Sequence, residues 1–141
     1  MRQSAKRALS AYAILLIGVS GCVPEDFATK TDATYGQQLF VESCAACHGA
    51  AADGNGTAAL GLGIKPPRLT NLSAANNGIF PRDYVMSKID GYSKRGHSGQ
   101  VMPEFGADDL GPMVQIERDG ISTPVPADLV ALANYVESIQ K

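Results

Sequence analysis

Apolar residues in this chain fall into a few patterned stretches, set apart by segments rich in Gly and Pro. The first is an almost continuous run from Ala8 to Val19, holding Ile14, Leu15, Leu16 and Ile17 and no charge. The second lies in Tyr35-Gly36-Gln37-Gln38-Leu39-Phe40, where Gly36, Phe40 and Cys44 recur every four residues and so share one face of a helix. Asp32 or Thr34 is placed to cap that helix. A third helix is predicted from Pro81 through Tyr84, Val85, Lys88 and Ile89, stopping at Gly91. The last segment, Pro126 to about Ile139, is amphipathic, with Leu129, Leu132, Ala133, Val136 and Ile139 at the 3.6-residue period. Pro126 suits its first turn and Asp128 its positive end. Between Gly106 and Pro126 the pattern changes. Val114 and Ile116 alternate with polar residues ahead of Asp119-Gly120, a favoured hairpin turn, so a small β-hairpin is expected before the final helix.

The opening run is an address. Met1–Arg7 carries Arg2, Lys6 and Arg7, and the apolar stretch behind it is near a dozen residues, short of the roughly 20 needed to cross a bilayer. A basic flank and this length match a secretory signal. The run ends in Val19-Ser20-Gly21-Cys22, which resembles the bacterial lipobox. The expected organisation is therefore a signal over 1–21 that is removed, a lipidated tether over 22–31 beginning at Cys22, and one domain over 32–141. Because each buried methylene contributes about 0.8 kcal/mol and one acyl chain anchors only marginally, several chains on Cys22 are what make attachment stable. Val23, not Asp, follows Cys22, which permits outward sorting in a Gram-negative envelope without establishing it.

Composition then narrows the function classes. With 141 residues, 45% hydrophobic and 18% charged, the chain has material for one globular domain, and 15 Gly and 8 Pro make it loop-rich. Loss of residues 1–21 leaves nine basic against fourteen acidic groups, a net charge of -5. No basic face for a nucleic acid is present. Partners are expected to be redox proteins docked weakly and transiently, plus the membrane through the lipid anchor, with no nucleic acid, no small-molecule substrate and a monomeric state.

Of three cysteines, two lie in Cys44-Ala45-Ala46-Cys47-His48, the C-x-x-C-H of c-type haem attachment. Two thiols three positions apart stand on adjacent helical turns, so both can add across the vinyl groups on one edge of a haem. The neighbouring His48 can then take the iron from below. Ala45 and Ala46 keep the bridging backbone close. A thiol–disulfide pair, a zinc site and a structural disulfide are the competing readings. The adjacent His disfavours the first, and a zinc site would have only His97 to add. A disulfide across this spacing would staple almost no loop.

From about Ala33 to the C-terminus the chain resembles the class I cytochrome c family, on the strength of C-x-x-C-H, the helix before it, the amphipathic helix at the end and Val101-Met102-Pro103-Glu104-Phe105-Gly106. The resemblance implies an all-α cytochrome c fold, three to four helices around one covalent haem c, to which the hairpin is an addition. It pairs Gly36 with Tyr135 across the first and last helices. The M-P-x-F similarity implies Met102 as sixth ligand, 54 residues after His48, in a loop stiffened by Pro103. His97 is the rival; Met86 is expected in the core and Met113 in a loop. Ile64-Lys65-Pro66-Pro67-Arg68-Leu69 resembles the strip on the proximal side, where a Pro carbonyl accepts the His N–H. Pro66 and Pro67 are both candidates and Pro67 is preferred. Arg68 is either a partner for a haem propionate or a solvated cation. Asp53-Gly54-Asn55-Gly56 reads as a tight turn. The hairpin is either a docking surface near the haem edge or a cover over the distal side.

The expected function is one-electron transfer by a mono-haem carrier, anchored by lipid to a bacterial envelope membrane and facing the periplasm or exterior, between respiratory or dehydrogenase partners. No catalytic residue is invoked. The alternatives are the haem-binding electron-transfer subunit of a larger oxidoreductase, and a haem sensor with an open distal site.

Overall fold

The structure is a computed structural model and describes residues 30–92, 102–107 and 109–141. The signal segment, Cys22 and His97 lie outside the described residues. Helix α1, Ala33–Ser43, starts where Asp32 Oδ1 accepts the Tyr35 N–H at 2.7 Å, so Asp32 rather than Thr34 is the cap. Its C-terminal turn runs through Cys44, whose N–H donates to the Phe40 carbonyl at 2.9 Å, into the four-residue helix α2, Ala45–His48. Two more short helices follow, α3 at Thr57–Gly61 and α4 at Leu72–Ala75, the latter led in by a 3-10 turn at Leu69–Asn71. Helix α5 spans Arg82–Asp90 and stops at Gly91, whose φ of 87° ends the helix as glycine does readily. Helix α6, Ala127–Ser138, closes the domain. Among the described residues, three helices of nine residues or more thus carry the architecture, and the shorter turns shape the loops between them.

The crossing of α1 over α6 is the centre of the core. Gly36 lies so close to α6 that a Cβ there would stand 2.0 Å from the Ala131 carbonyl oxygen and 2.9 Å from Tyr135 Cβ. That approach brings the Phe40 and Tyr135 rings to 5.2 Å between centroids, tilted by 49°. Phe40 is 1% exposed, and Leu129, Leu132 and Val136 are buried beside it, each burial being worth about 1.5–3 kcal/mol. Ala131 and Ala133 are fully buried. Val85 and Ile89 add the face of α5, and Met86 packs half-buried against the same core. An Arg82–Glu137 ion pair joins α5 to α6 at the surface, where such pairs contribute at most about 1 kcal/mol.

The predicted hairpin is present. Strands β1, Met113–Arg118, and β2, Ile121–Pro126, pair antiparallel, Met113 opposite Pro126 and Arg118 opposite Ile121. Asp119 and Gly120 take φ of 51° and 76°, both positive as this two-residue turn requires. Met113 is therefore in a strand, 65% exposed, and not in a loop. The Ala127 and Asp128 N–H groups donate to the Pro112 and Leu110 carbonyls at 2.9 and 3.1 Å, which satisfies two open donors at the start of α6. Arg118 pairs with Asp83 and so ties the hairpin to α5. Val114, Ile116 and Gln115 line a surface groove with Arg82, Val130, Asn134 and Thr31.

Candidate functional site

A cavity of about 540 Å³ opens between α2, α5, α6 and the strip Ile64–Pro67, within the roughly 300–1,000 Å³ of cofactor sites. Cys44, Cys47 and His48 stand on its wall, as do Pro66, Pro67, Met102, Pro103 and Phe105. Residues 44–48 and 102, far apart in the chain, thus meet around one space. No hairpin residue lines it, so the expectation of a distal cover is not met: the hairpin packs beside α5 and α6 instead.

Local structure explains how the thiols are presented. The His48 N–H donates to the Cys44 carbonyl at 2.9 Å, holding the motif as one helical turn with both sulfurs toward the cavity wall. The chain then doubles back over that turn. Gly54 N–H donates to the His48 carbonyl at 2.8 Å and Gly56 N–H to the Cys47 carbonyl at 3.1 Å. A Cβ on Gly56 would lie 2.3 Å from the Ala46 oxygen and 2.4 Å from that of Cys47. Gly54, at φ 83°, leaves the Pro66 carbonyl room that a Cβ would occupy at 2.4 Å. The turn at Asp53–Gly56, visible in the sequence only as a turn, therefore clamps the haem motif to the proline strip. Asp53 holds it through the Asn55 backbone and side-chain N–H groups at 3.1 and 2.8 Å, and these bonds keep its carboxyl below the usual carboxylate range.

The two thiols are unbridged. Burial, with Cys47 adding to it, pushes the Cys44 thiol up to about 11. A thiol–disulfide catalyst needs the opposite shift, toward a thiolate at neutral pH, so the environment disfavours that reading. Among the described residues no group of three or more His, Cys, Asp or Glu side chains comes together to hold a metal. Burial also lowers the His48 pKa, favouring a neutral imidazole, and the Pro67 carbonyl acts in the other direction. His48 Nδ1 is buried and lacks a partner in full hydrogen-bond geometry. The Pro67 carbonyl beside it is near enough to favour a proton there. A proton held on Nδ1 would leave Nε2 free as a donor atom. A neutral imidazole, two thiols on one helical turn and an apolar cavity together fit a covalently held haem.

Met102 reaches the same cavity from a loop braced by the end of α5. Gly91 and Gly106 pack so tightly that Cβ atoms there would meet Glu104 Cβ at 2.7 Å and the Asp90 carbonyl oxygen at 2.4 Å. Arg68 is placed otherwise than a propionate partner would be: it is exposed, does not line the cavity, and its charge acts on Asp53. The cations on the wall are Lys65 and Lys88. Gln140 is another residue that sequence reasoning passed over. Its Nε2 donates to the Leu69 and Val136 carbonyls at 2.7 Å each and its Oε1 accepts from Ser73 N–H at 2.9 Å. Leu69 and Leu72, which this clamp holds, form part of the cavity wall. A polar residue at the end of a helix carried no signal of that role.

Compared with known proteins, residues 33–140 match the family model described as Cytochrome c. Neither the curated proteins nor the solved structures give a match.

Proposed function

Because this chain belongs to the cytochrome c family over residues 33–140, we propose that it is a mono-haem electron carrier, tethered to an envelope membrane through lipid on Cys22, that moves single electrons between respiratory or dehydrogenase partners. Family membership carries the coarser statement: covalent haem c and a role in electron transfer. One observation supports the finer reading most, the convergence of Cys44, Cys47, His48 and Met102 on one largely apolar cavity.

Haem, when bound, supplies a one-electron couple at its iron. The protein does the rest. Cys44 and Cys47 would hold the group through two thioethers, which would prevent its loss. His48 would present Nε2 to the iron, and a proton on Nδ1 directed at the Pro67 carbonyl would fix the tautomer and raise ligand basicity. Met102 would supply its thioether as the second ligand. A Met/His pair favours a higher potential than other axial sets, and ligands held by Pro103 and the α2 turn need little rearrangement when the charge changes. Phe40, Val85, Ile89, Leu132 and Val136 exclude water from this wall. No general acid, base or nucleophile is required, and we place the chain among carriers rather than enzymes.

Cytochrome c domains are typically extracytoplasmic, which accords with the signal expected over residues 1–21. No helix among the described residues is long and apolar enough to cross a membrane; the lipid anchor in this reading rests on the lipobox-like Val19-Ser20-Gly21-Cys22. Near the start of the described residues, Asn134 Nδ2 donates to the Thr31 carbonyl at 2.6 Å, which accords with a domain beginning about residue 32.

The test is spectroscopic. Met102→Ala, made in a host able to attach haem, should keep covalent pigment after acid denaturation but lose the weak charge-transfer band from sulfur to ferric iron. It should also gain carbon monoxide binding in the reduced state. Persistence of that band in the variant refutes Met102 as ligand. Ready binding of carbon monoxide by the unaltered protein would favour the open-site sensor instead.

A further inference from the structure

Charge on the cavity wall is one-sided. Lys65 and Lys88 line it, and no Asp or Glu among the described residues does, in a chain whose acids outnumber its bases, 14 to 12. Lys88 is placed with some care. It lies one helical turn beyond Tyr84 on α5, half-buried, with Nζ 5.5 Å from the centre of the Tyr84 ring. Tyr84 and Lys88 therefore share a stripe. The neighbouring stripe, Val85 and Ile89, is buried and faces the same cavity. Helix α5 thus presents an apolar edge to the interior and a polar edge, a hydroxyl and an ammonium, at the rim, where Tyr84 is 57% exposed. Lys65 comes from a separate segment, one residue before the Pro66-Pro67 strip that runs past His48.

Haem has the matching asymmetry. Its macrocycle is apolar, its vinyl edge is taken by the two cysteines, and its two carboxylates project from the edge opposite the vinyls. Resting on the haem assignment above, we propose that Lys88, steadied by Tyr84, pairs with one haem carboxylate, and that Lys65 is the cation available to the other. An ammonium held against an aromatic face loses less freedom on forming such a pair than a fully solvated one. Pairing cancels negative charge that would otherwise stabilise ferric iron, so Lys88 holds the reduced form in favour. Arg68, the sequence's first candidate for this role, is exposed and does not line the cavity.

The experiment uses wild-type holo-protein and the holo forms of Lys88→Gln, Lys88→Arg, Lys65→Gln and Arg68→Gln. Two readouts are taken: the redox equilibrium against a reference couple, and the carboxylate bands in oxidised-minus-reduced infrared difference spectra. Lys88→Gln should move the equilibrium toward the oxidised form by roughly threefold or more, the scale of one charge acting through partly solvated protein. It should also shift a carboxylate band. Lys88→Arg should restore the equilibrium, and Arg68→Gln should leave both readouts alone. Unchanged carboxylate bands in Lys88→Gln overturn the pairing even if the equilibrium moves, since charge at a distance would suffice for that. A band that responds to Lys65→Gln and not to Lys88→Gln overturns the assignment of Lys88. Should Lys88→Gln yield no holo-protein, Lys88→Arg still reads the pairing: a guanidinium in place of an ammonium must displace the same band, and an unmoved band rejects the pair. Failure of the haem assignment itself would look different, as wild-type protein without covalent pigment.

Discussion

Replacing Gly36 by Ala sets two effects of opposite sign against each other. In a helix interior Ala is favoured over Gly by about 1 kcal/mol, so propensity alone predicts a more stable protein. The structure predicts the reverse. The new Cβ would stand 2.0 Å from the Ala131 carbonyl oxygen and 2.5 Å from its carbon, far inside ordinary van der Waals separation. Both are backbone atoms that no rotamer change can move. Relief requires α1 and α6 to separate, and the first packing to open is that of Phe40 on Tyr135, whose rings now stand 5.2 Å apart. Overpacking of a well-filled core costs typically 1–3 kcal/mol and sometimes more. With the helices prised apart we take about 3 kcal/mol, for a net loss of about 2 kcal/mol after propensity is credited. For a domain of this size that is a fall in midpoint on the order of 10 °C. Denaturant unfolding of the holo-protein, followed by far-ultraviolet dichroism and by haem absorbance, measures it. Gly61→Ala supplies the contrast. Gly61 closes α3, and a Cβ added there would have nothing within 4 Å, so only propensity acts and stability should hold or rise slightly. If Gly36→Ala is as stable as the parent, the close crossing is not what assembles this core.

Two further outcomes follow from the loops around the site. Gln140→Ala removes three hydrogen bonds to the Leu69–Ser73 segment and to α6; at about 1 kcal/mol or less for each after the entropy of the side chain is recovered, stability should drop by about 2 kcal/mol in thermal unfolding, and a change within error would show that the segment holds itself. Asp53 has its folded-state pKa lowered by the Asn55 bonds, so its contribution is present above the ordinary carboxylate pKa and fades as pH falls through the lowered value. Asp53→Ala should therefore be less stable than the parent near neutrality, and the two curves should converge below the usual carboxylate range; parallel curves down to strong acid would contradict this.

The chemistry was legible along the chain because it depends on neighbours in sequence. Cys44, Cys47 and His48 act as one helical turn, and no distant residue is needed to bring them together. The same holds for the helices over 33–43, 82–90 and 127–138 and for the hairpin turn at Asp119-Gly120, whose patterns are local. What the tertiary structure decided concerns surfaces that meet across the fold. It put Lys88 on the cavity wall and Arg68 outside it, a difference that neither local stretch encodes. It gave Gly54 and Gly56 their work, since the need for a missing Cβ comes from the carbonyls of Pro66, Ala46 and Cys47 that happen to oppose them. It carried the hairpin to the flank of α5 and α6, tied to α5 by the Arg118–Asp83 pair and away from the cavity wall. Periodicity and spacing report what a backbone repeats every turn, whereas which cation faces a cavity depends on how whole helices are rotated and packed, information that no single stretch of residues contains.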